Sequence, residues 1–106
     1  MNRVVCNGKI VVIGCGAVSQ CTLPLLLKFI EVNPRSITVV DFVDNRTRID
    51  QILEQGVRYE QERLTPDNYR AVLGRLLGAG DVLIDLGWNI ETQDLIEWSR
   101  EHGVLY

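Results

Sequence analysis

Apolar positions along the chain switch between two periods. Ile10-Val11-Val12-Ile13 is an unbroken β-branched run after Lys9 and predicts a buried strand over 9–13. From there the spacing becomes helical, with Val18, Cys21, Leu25, Leu26, Phe29 and Ile30 on one face toward the core. Pro24 lies inside this stripe and predicts a kink rather than an end, because the stripe continues beyond it. Asn33-Pro34 marks the point before which the helix must stop. Ser36 to Asp41 is a second β-branched strand, ending in a carboxylate. Ile49, Ile52 and Leu53 place a helix over 46–55, closed by Gly56. Val57-Arg58-Tyr59-Glu60 alternates and predicts a short third strand.

Thr65-Pro66-Asp67 carries a hydroxyl cap, a proline at the first helical position and an acid in the first turn, which together start a helix. Tyr69, Val72, Leu73, Leu76 and Leu77 form its buried stripe, and Gly78-Ala79-Gly80 ends it. Asp81 to Leu86 is a fourth strand, followed by the loop Gly87-Trp88-Asn89. Leu95, Ile96 and Ser99 mark the inner face of a last helix, which leaves Trp98 half-buried outside it. Gly103 to Tyr106 reads as the opening of a fifth strand. Strand and helix thus alternate throughout. The expected fold class is α/β, a Rossmann-type parallel sheet of about five strands in order 3-2-1-4-5 with helices on both faces.

That topology puts any ligand outside the carboxyl ends of the strands, at the switch point between the first and fourth. Three segments converge there: Gly14 to Val18, Asp41 to Val43, and Leu86 to Asn89. In the first, Gly14 allows a tight turn, and Gly16 lets the backbone approach a pyrophosphate. Cys15 lies between them, and Ala17 and Val18 open a helix whose free N–H groups favour phosphate. Ser19 occupies the third position of the pattern, where glycine is usual for close packing of helix on strand. Asp41 follows Gly16 by 25 residues, near the roughly 20 of the dinucleotide fingerprint. There a carboxylate accepts hydrogen bonds from the adenosine ribose and repels a 2′-phosphate. Phe42, Leu86 and Gly87 complete the expected binding set. Arg46 and Arg48 form a solvated face, since Asp41 and Asp44 oppose an anion beside them. Trp88 either borders the nucleotide or plugs the sheet end. A glycine turn with no ligand is the competing reading of the loop.

Composition narrows the partners. The chain has 106 residues, enough for one domain spanning 1–106. A net charge of −3 with interspersed signs offers no basic stripe for nucleic acid. No apolar run reaches membrane-spanning length, and the start from Met1 to Asn7 lacks the apolar core of a signal peptide. Three cysteines and one histidine match no zinc spacing and suggest free thiols in a reducing, cytoplasmic setting. The helix N-terminus near Cys15 would favour a thiolate, but no resolving cysteine or partner base is evident. A small residue tolerated in a turn is the simpler reading.

Four segments carry a family resemblance: Ile13-Gly14-Cys15-Gly16-Ala17-Val18, Thr22-Leu23-Pro24-Leu25, Thr65-Pro66-Asp67-Asn68-Tyr69-Arg70 and Glu101-His102-Gly103-Val104-Leu105-Tyr106. They resemble the N-terminal region of bacterial homospermidine synthases, within the wider saccharopine dehydrogenase-like group. The resemblance implies an enzyme of polyamine biosynthesis holding NAD as a redox prosthetic group. Putrescine is oxidised by hydride transfer, its aminobutyl group passes to a second amine, and the resulting imine is reduced by the same nicotinamide. It also implies a homo-oligomer and a chain several times longer. The sequence is therefore expected to be an N-terminal nucleotide-binding fragment with no catalytic residue of its own. An NAD(H)-sensing regulatory module without catalysis is the alternative from a different functional class.

Overall fold

The computed structural model describes residues 4–87 and 90–106. In chain order the elements are β1 (Val4–Val5), β2 (Ile10–Ile13), α1 (Ala17–Phe29), β3 (Ile30–Glu31), β4 (Ile37–Asp41), α2 (Asp50–Glu54), β5 (Arg58–Gln61), α3 (Tyr69–Leu76), β6 (Val82–Asp85) and α4 (Thr92–His102). Short 3-10 turns cover Pro34–Ser36 and Arg46–Ile49. Four strands form a parallel sheet in the order β5-β4-β2-β6. Val12 is central in it, paired with Val39 on one side and Ile84 on the other. This is the expected 3-2-1-4 arrangement. The fifth strand amounts to one parallel bridge, Val82 with Leu105, on the free edge of β6. There the Leu83 N–H donates to the Leu105 carbonyl at 2.7 Å, and the Leu105 N–H donates to that of Asp81 at 2.8 Å.

The four residues of β2 are all buried, because both faces of the sheet are covered. Ile10 and Val12 pack with Leu23, Leu26, Ile49 and Ile52 from the α1 and α2 side. Val11 and Ile13 pack with Val72, Leu73, Leu95 and Trp98 from the α3 and α4 side. Successive side chains of a strand leave opposite faces, so an unbroken β-branched run belongs to a strand buried on both sides. No helix among the described residues is long and apolar enough to cross a membrane.

Two helices are rotated from their expected phase. In α1 the buried residues are Ser19, Leu23 and Leu26, while Val18, Leu25 and Phe29 are exposed, as is Cys21. The reason is Ser19, which is fully buried and donates its hydroxyl proton to the Gly14 carbonyl. A small residue at that point lets the helix approach the strand, and this contact fixes the phase more firmly than the count of apolar side chains. In α4 the inner face is Leu95, Trp98 and Ser99, and Ile96 lies at its rim. Trp98 is 1% exposed rather than half-buried, with its ring stacked on that of His102 at 4.4 Å.

Element ends also moved. α1 runs through Pro24 but stops at Phe29, well short of Asn33. Ile30 is extended, and Ile30–Glu31 pairs in parallel with Val4–Val5, a pairing too short to show as periodicity. The helix over 46–55 begins as a 3-10 turn and is α-helical only from Asp50 to Glu54. α3 starts at Tyr69 rather than beside Thr65. The turn before it is closed reciprocally: Thr65 N–H donates to Asn68 Oδ1 at 2.7 Å, and Asn68 N–H to Thr65 Oγ1 at 3.2 Å.

Candidate functional site

A cavity of about 160 Å³ lies at the carboxyl ends of β2, β4 and β6. Its floor is the turn after β2. Gly14 has φ +96°, and a Cβ there would lie 2.9 Å from the Leu86 carbonyl oxygen. Only glycine meets both conditions. The turn is pinned to its neighbours on each side. Gly14 N–H donates to the Val40 carbonyl at 2.7 Å, and Leu86 N–H to the Ile13 carbonyl at 2.9 Å. Gly87 follows, with its own Cβ position 3.0 Å from Ile13 Cγ2. The strand-end segments at 14, 41 and 86 are thereby locked around one opening.

Seven residues expected at the site line this cavity: Gly14, Cys15, Gly16, Asp41, Phe42, Leu86 and Gly87. Ala17 and Val18 do not. They form the exposed first turn of α1, where their side chains point elsewhere and only their backbone is available. The first intrahelical bond runs from Gln20 N–H to the Gly16 carbonyl at 3.1 Å. The N–H groups of Ala17, Val18 and Ser19 precede it, and no side chain caps them. A Cβ on Gly16 would meet nothing within 4 Å, so the approach to these groups is open. Trp88 and Asn89, expected beside the crevice, lie outside the described residues.

Asp41 reaches into the loop itself. Its Oδ2 accepts the Cys15 N–H at 2.6 Å and its Oδ1 accepts the Val43 N–H at 3.2 Å. The Cys15 carbonyl in turn accepts from Asn45 Nδ2 at 2.9 Å. Cys15 is fully buried. Burial pushes its thiol pKa up, the Asp41 charge adds to this, and Arg48 opposes it. Burial, the largest of these causes, works against the thiolate that the turn position would favour. The three cysteines, all among the described residues, are free.

Sequence reasoning missed four participants. Glu62 and Leu64 line the cavity from beyond β5. The Glu62 N–H donates to the Asp41 carbonyl at 2.8 Å, extending the β4–β5 pairing past the strand end. The position of β5 next to β4 was the available signal, since the carboxyl ends of adjacent parallel strands share one rim. Asn45 and Tyr59 belong to the support behind the loop. The Tyr59 hydroxyl accepts the Asn45 N–H at 3.2 Å and donates to the Val43 carbonyl at 2.5 Å. Burial raises the Tyr59 pKa, and the Asn45 hydrogen bond partly offsets that. No periodicity marks such contacts. Arg46 is paired with Asp44 at 2.9 Å, and its guanidinium lies 4.9 Å from the Tyr59 ring centre. Among the described residues no group of His, Cys, Asp and Glu could hold a metal ion.

Residues 10–106 match the family described as the saccharopine dehydrogenase NADP binding domain. Over 103 residues the chain is 34% identical to the homospermidine synthase of Blastochloris viridis, and 31% identical to that of Mesorhizobium japonicum. Each alignment covers 94% of this chain and 21% of the relative. Among solved structures, the homospermidine synthase of Legionella pneumophila in complex with NAD superposes with a TM-score of 0.89 at 28% identity. That match covers 98% of this chain and 22% of the other. The chain therefore spans about a fifth of the length of the relatives it matches.

Proposed function

The chain belongs to the saccharopine dehydrogenase NADP binding domain family, and from that premise we propose that it is the NAD-binding domain of a homospermidine synthase. The observation that carries this reading is the joint placement of an open glycine turn and a strand-end carboxylate around one cavity. The residues present fit a dinucleotide. Gly16 leaves room for a pyrophosphate, and the uncapped N–H groups at the start of α1 supply donors and a partial positive charge. Two of the roughly four acceptor sites of the Asp41 carboxylate are used within the loop. The remaining ones suit ribose hydroxyls. Phe42, Glu62 and Leu64 offer a wall on the far side of Asp41. Leu86 and Gly87 close the other side.

Charge favours NAD over NADP, despite the family's description. Asp41 and Glu62 both line the cavity, and Arg46 is already neutralised by Asp44. A 2′-phosphate would meet these two carboxylates, with the Arg63 guanidinium held over the Phe42 ring at 4.9 Å. When bound, NAD supplies acceptance and return of a hydride. This chain's own part is to bind and orient it. On this reading, and on the resemblance set out above, the amine substrate would be putrescine. Free thiols support a reducing, cytoplasmic compartment. The exposed apolar face of α1, from Val18 through Leu25 to Phe29, supports association into a homo-oligomer.

Calorimetric titration of the chain with NAD and NADP tests the binding reading. Saturable NAD binding and clearly weaker NADP binding are expected. No NAD binding at millimolar concentration removes it. The activity is tested on the protein with putrescine and NAD, scoring homospermidine as product. The 106 residues alone are expected to show no putrescine-dependent hydride transfer.

A further inference from the structure

The peptide between Cys15 and Gly16 faces two ways. Its carbonyl oxygen accepts from Asn45 Nδ2 at 2.9 Å. Asn45 lies behind the loop and does not line the cavity, whereas Gly16 does. Cis peptides are absent among the described residues, and in a trans peptide the carbonyl and the following N–H point in opposite directions. A carbonyl turned toward Asn45 therefore turns the Gly16 N–H toward the open side. Resting on the dinucleotide reading above, we infer that Asn45 is a positioning residue that aims the Gly16 N–H at the nucleotide's pyrophosphate.

The need for such a residue follows from the glycine itself. Gly16 has no side chain and nothing within 4 Å of where one would be, so no Cβ at position 16 helps to hold the 15–16 peptide in one orientation. A rotated peptide would present a carbonyl lone pair to an anion in place of a donor. Asp41 does not prevent this, because it holds the preceding N–H, that of Cys15. Asn45 does, and it is itself fixed. Its backbone N–H donates to the Tyr59 hydroxyl, which donates onward to the Val43 carbonyl. A side-chain amide suits the task, since it donates without carrying a charge into a phosphate site.

The test uses the 106-residue chain with Asn45→Ala and with Asn45→Leu, which keeps bulk but removes the donor. Both should retain the wild-type circular dichroism spectrum. NAD affinity should fall roughly tenfold or more, the scale of a lost hydrogen bond to a charged group. Adenosine, which lacks the phosphates, should bind each variant as it binds wild type. Unchanged NAD affinity in a folded variant overturns the inference, and so does an equal loss for NAD and adenosine. Wild type that binds no NAD removes the dinucleotide reading and this inference together; binding by wild type with unaffected variants removes the Asn45 role alone. Should the variants fail to fold, amide exchange on wild type decides. The Gly16 N–H should exchange freely without NAD and become protected with it, while the Cys15 N–H is protected throughout. A Gly16 amide already protected in the free protein overturns the assignment.

Discussion

Asp41 Oδ2 accepts the Cys15 amide proton at 2.6 Å across 26 positions of sequence. The end of β4 is thereby tied to the turn after β2. The carboxylate expected to meet the ribose is thus an anchor of the phosphate loop as well, and the two duties separate by substitution. Asp41→Asn keeps one acceptor oxygen for the Cys15 N–H and removes the charge that opposes a 2′-phosphate. It should bind NAD more weakly and narrow the preference over NADP, with a modest effect on stability. Asp41→Ala loses the anchor too and should cost about 1.5–3 kcal/mol in addition. Urea denaturation and paired NAD and NADP titrations measure both effects. Wild type that binds NADP as tightly as NAD would end the ribose assignment.

Gly14 and Gly16 should respond oppositely. At Gly14 the φ of +96° and the Leu86 carbonyl at 2.9 Å leave no room for a Cβ. Gly14→Ala should destabilise the fold by about 1–3 kcal/mol. At Gly16 a Cβ would meet nothing within 4 Å, so Gly16→Val should leave stability within about 1 kcal/mol. Yet the branched side chain fills the space a pyrophosphate needs, so NAD binding should vanish. Melting curves beside titrations give the two readouts. A Gly16→Val protein that is folded and binds NAD normally would take the loop out of the site.

The buried thiol of Cys15 gives an alkaline signature. Burial, then the Asp41 charge, hold its pKa above the ordinary value, near 8.5 in an unfolded chain. The native state therefore keeps the proton where the unfolded state releases it. Its contribution is fully present below about pH 8.5 and is lost as pH rises toward the folded value. Tyr59 acts in the same sense from about pH 10. Stability from urea unfolding should fall as pH rises above about 8.5 in wild type and fall less in Cys15→Ala. In the folded chain a thiol reagent should modify exposed Cys21 quickly and Cys15 only on unfolding. Equal labelling rates at the two positions would mean that the loop opens readily.

Much of this was legible from residue types alone. The β-branched runs of β2 and β4 announced strands buried on both sides, and alternation with helices set the parallel order. Gly14, Gly16 and Asp41 were legible because turn geometry and a strand-end acid have a fixed spacing. Lateral contacts were not. Asn45 and Tyr59 act through single hydrogen bonds between segments far apart in sequence. Glu62 reaches the cavity only because β5 lies beside β4. Helix phase failed where one small or one large residue decided it. Ser19 stands at the close-packing position of the glycine pattern yet off the stripe that apolar counting draws, and Trp98 lies inside the face that Leu95, Ile96 and Ser99 mark rather than half-buried outside it.

The phase of α1 is itself open to measurement, and the site depends on it. Leu23 is 0% exposed, whereas Leu25, two positions on, is 53% exposed. Leu23→Ala empties a core position between β2 and α1 and should cost about 2–5 kcal/mol. Leu25→Ser removes an apolar group that already faces water and should change stability by about 0.5 kcal/mol or less. The reverse ranking would restore the stripe that apolar counting predicts and would displace Ser19 from the interface. Ser19 links this phase to binding, because its hydroxyl donates to the carbonyl of Gly14, the residue that makes the tight turn. Ser19→Gly should lose that bond while preserving the close approach, with a small drop in stability and near-normal NAD affinity. Ser19→Leu should push α1 away from β2 by overpacking, at about 1–3 kcal/mol, and move its first N–H groups off the cavity. NAD affinity should then fall more than tenfold at a temperature where the chain is still folded. Retained affinity in folded Ser19→Leu would show that the N-terminus of α1 takes no part in holding the nucleotide.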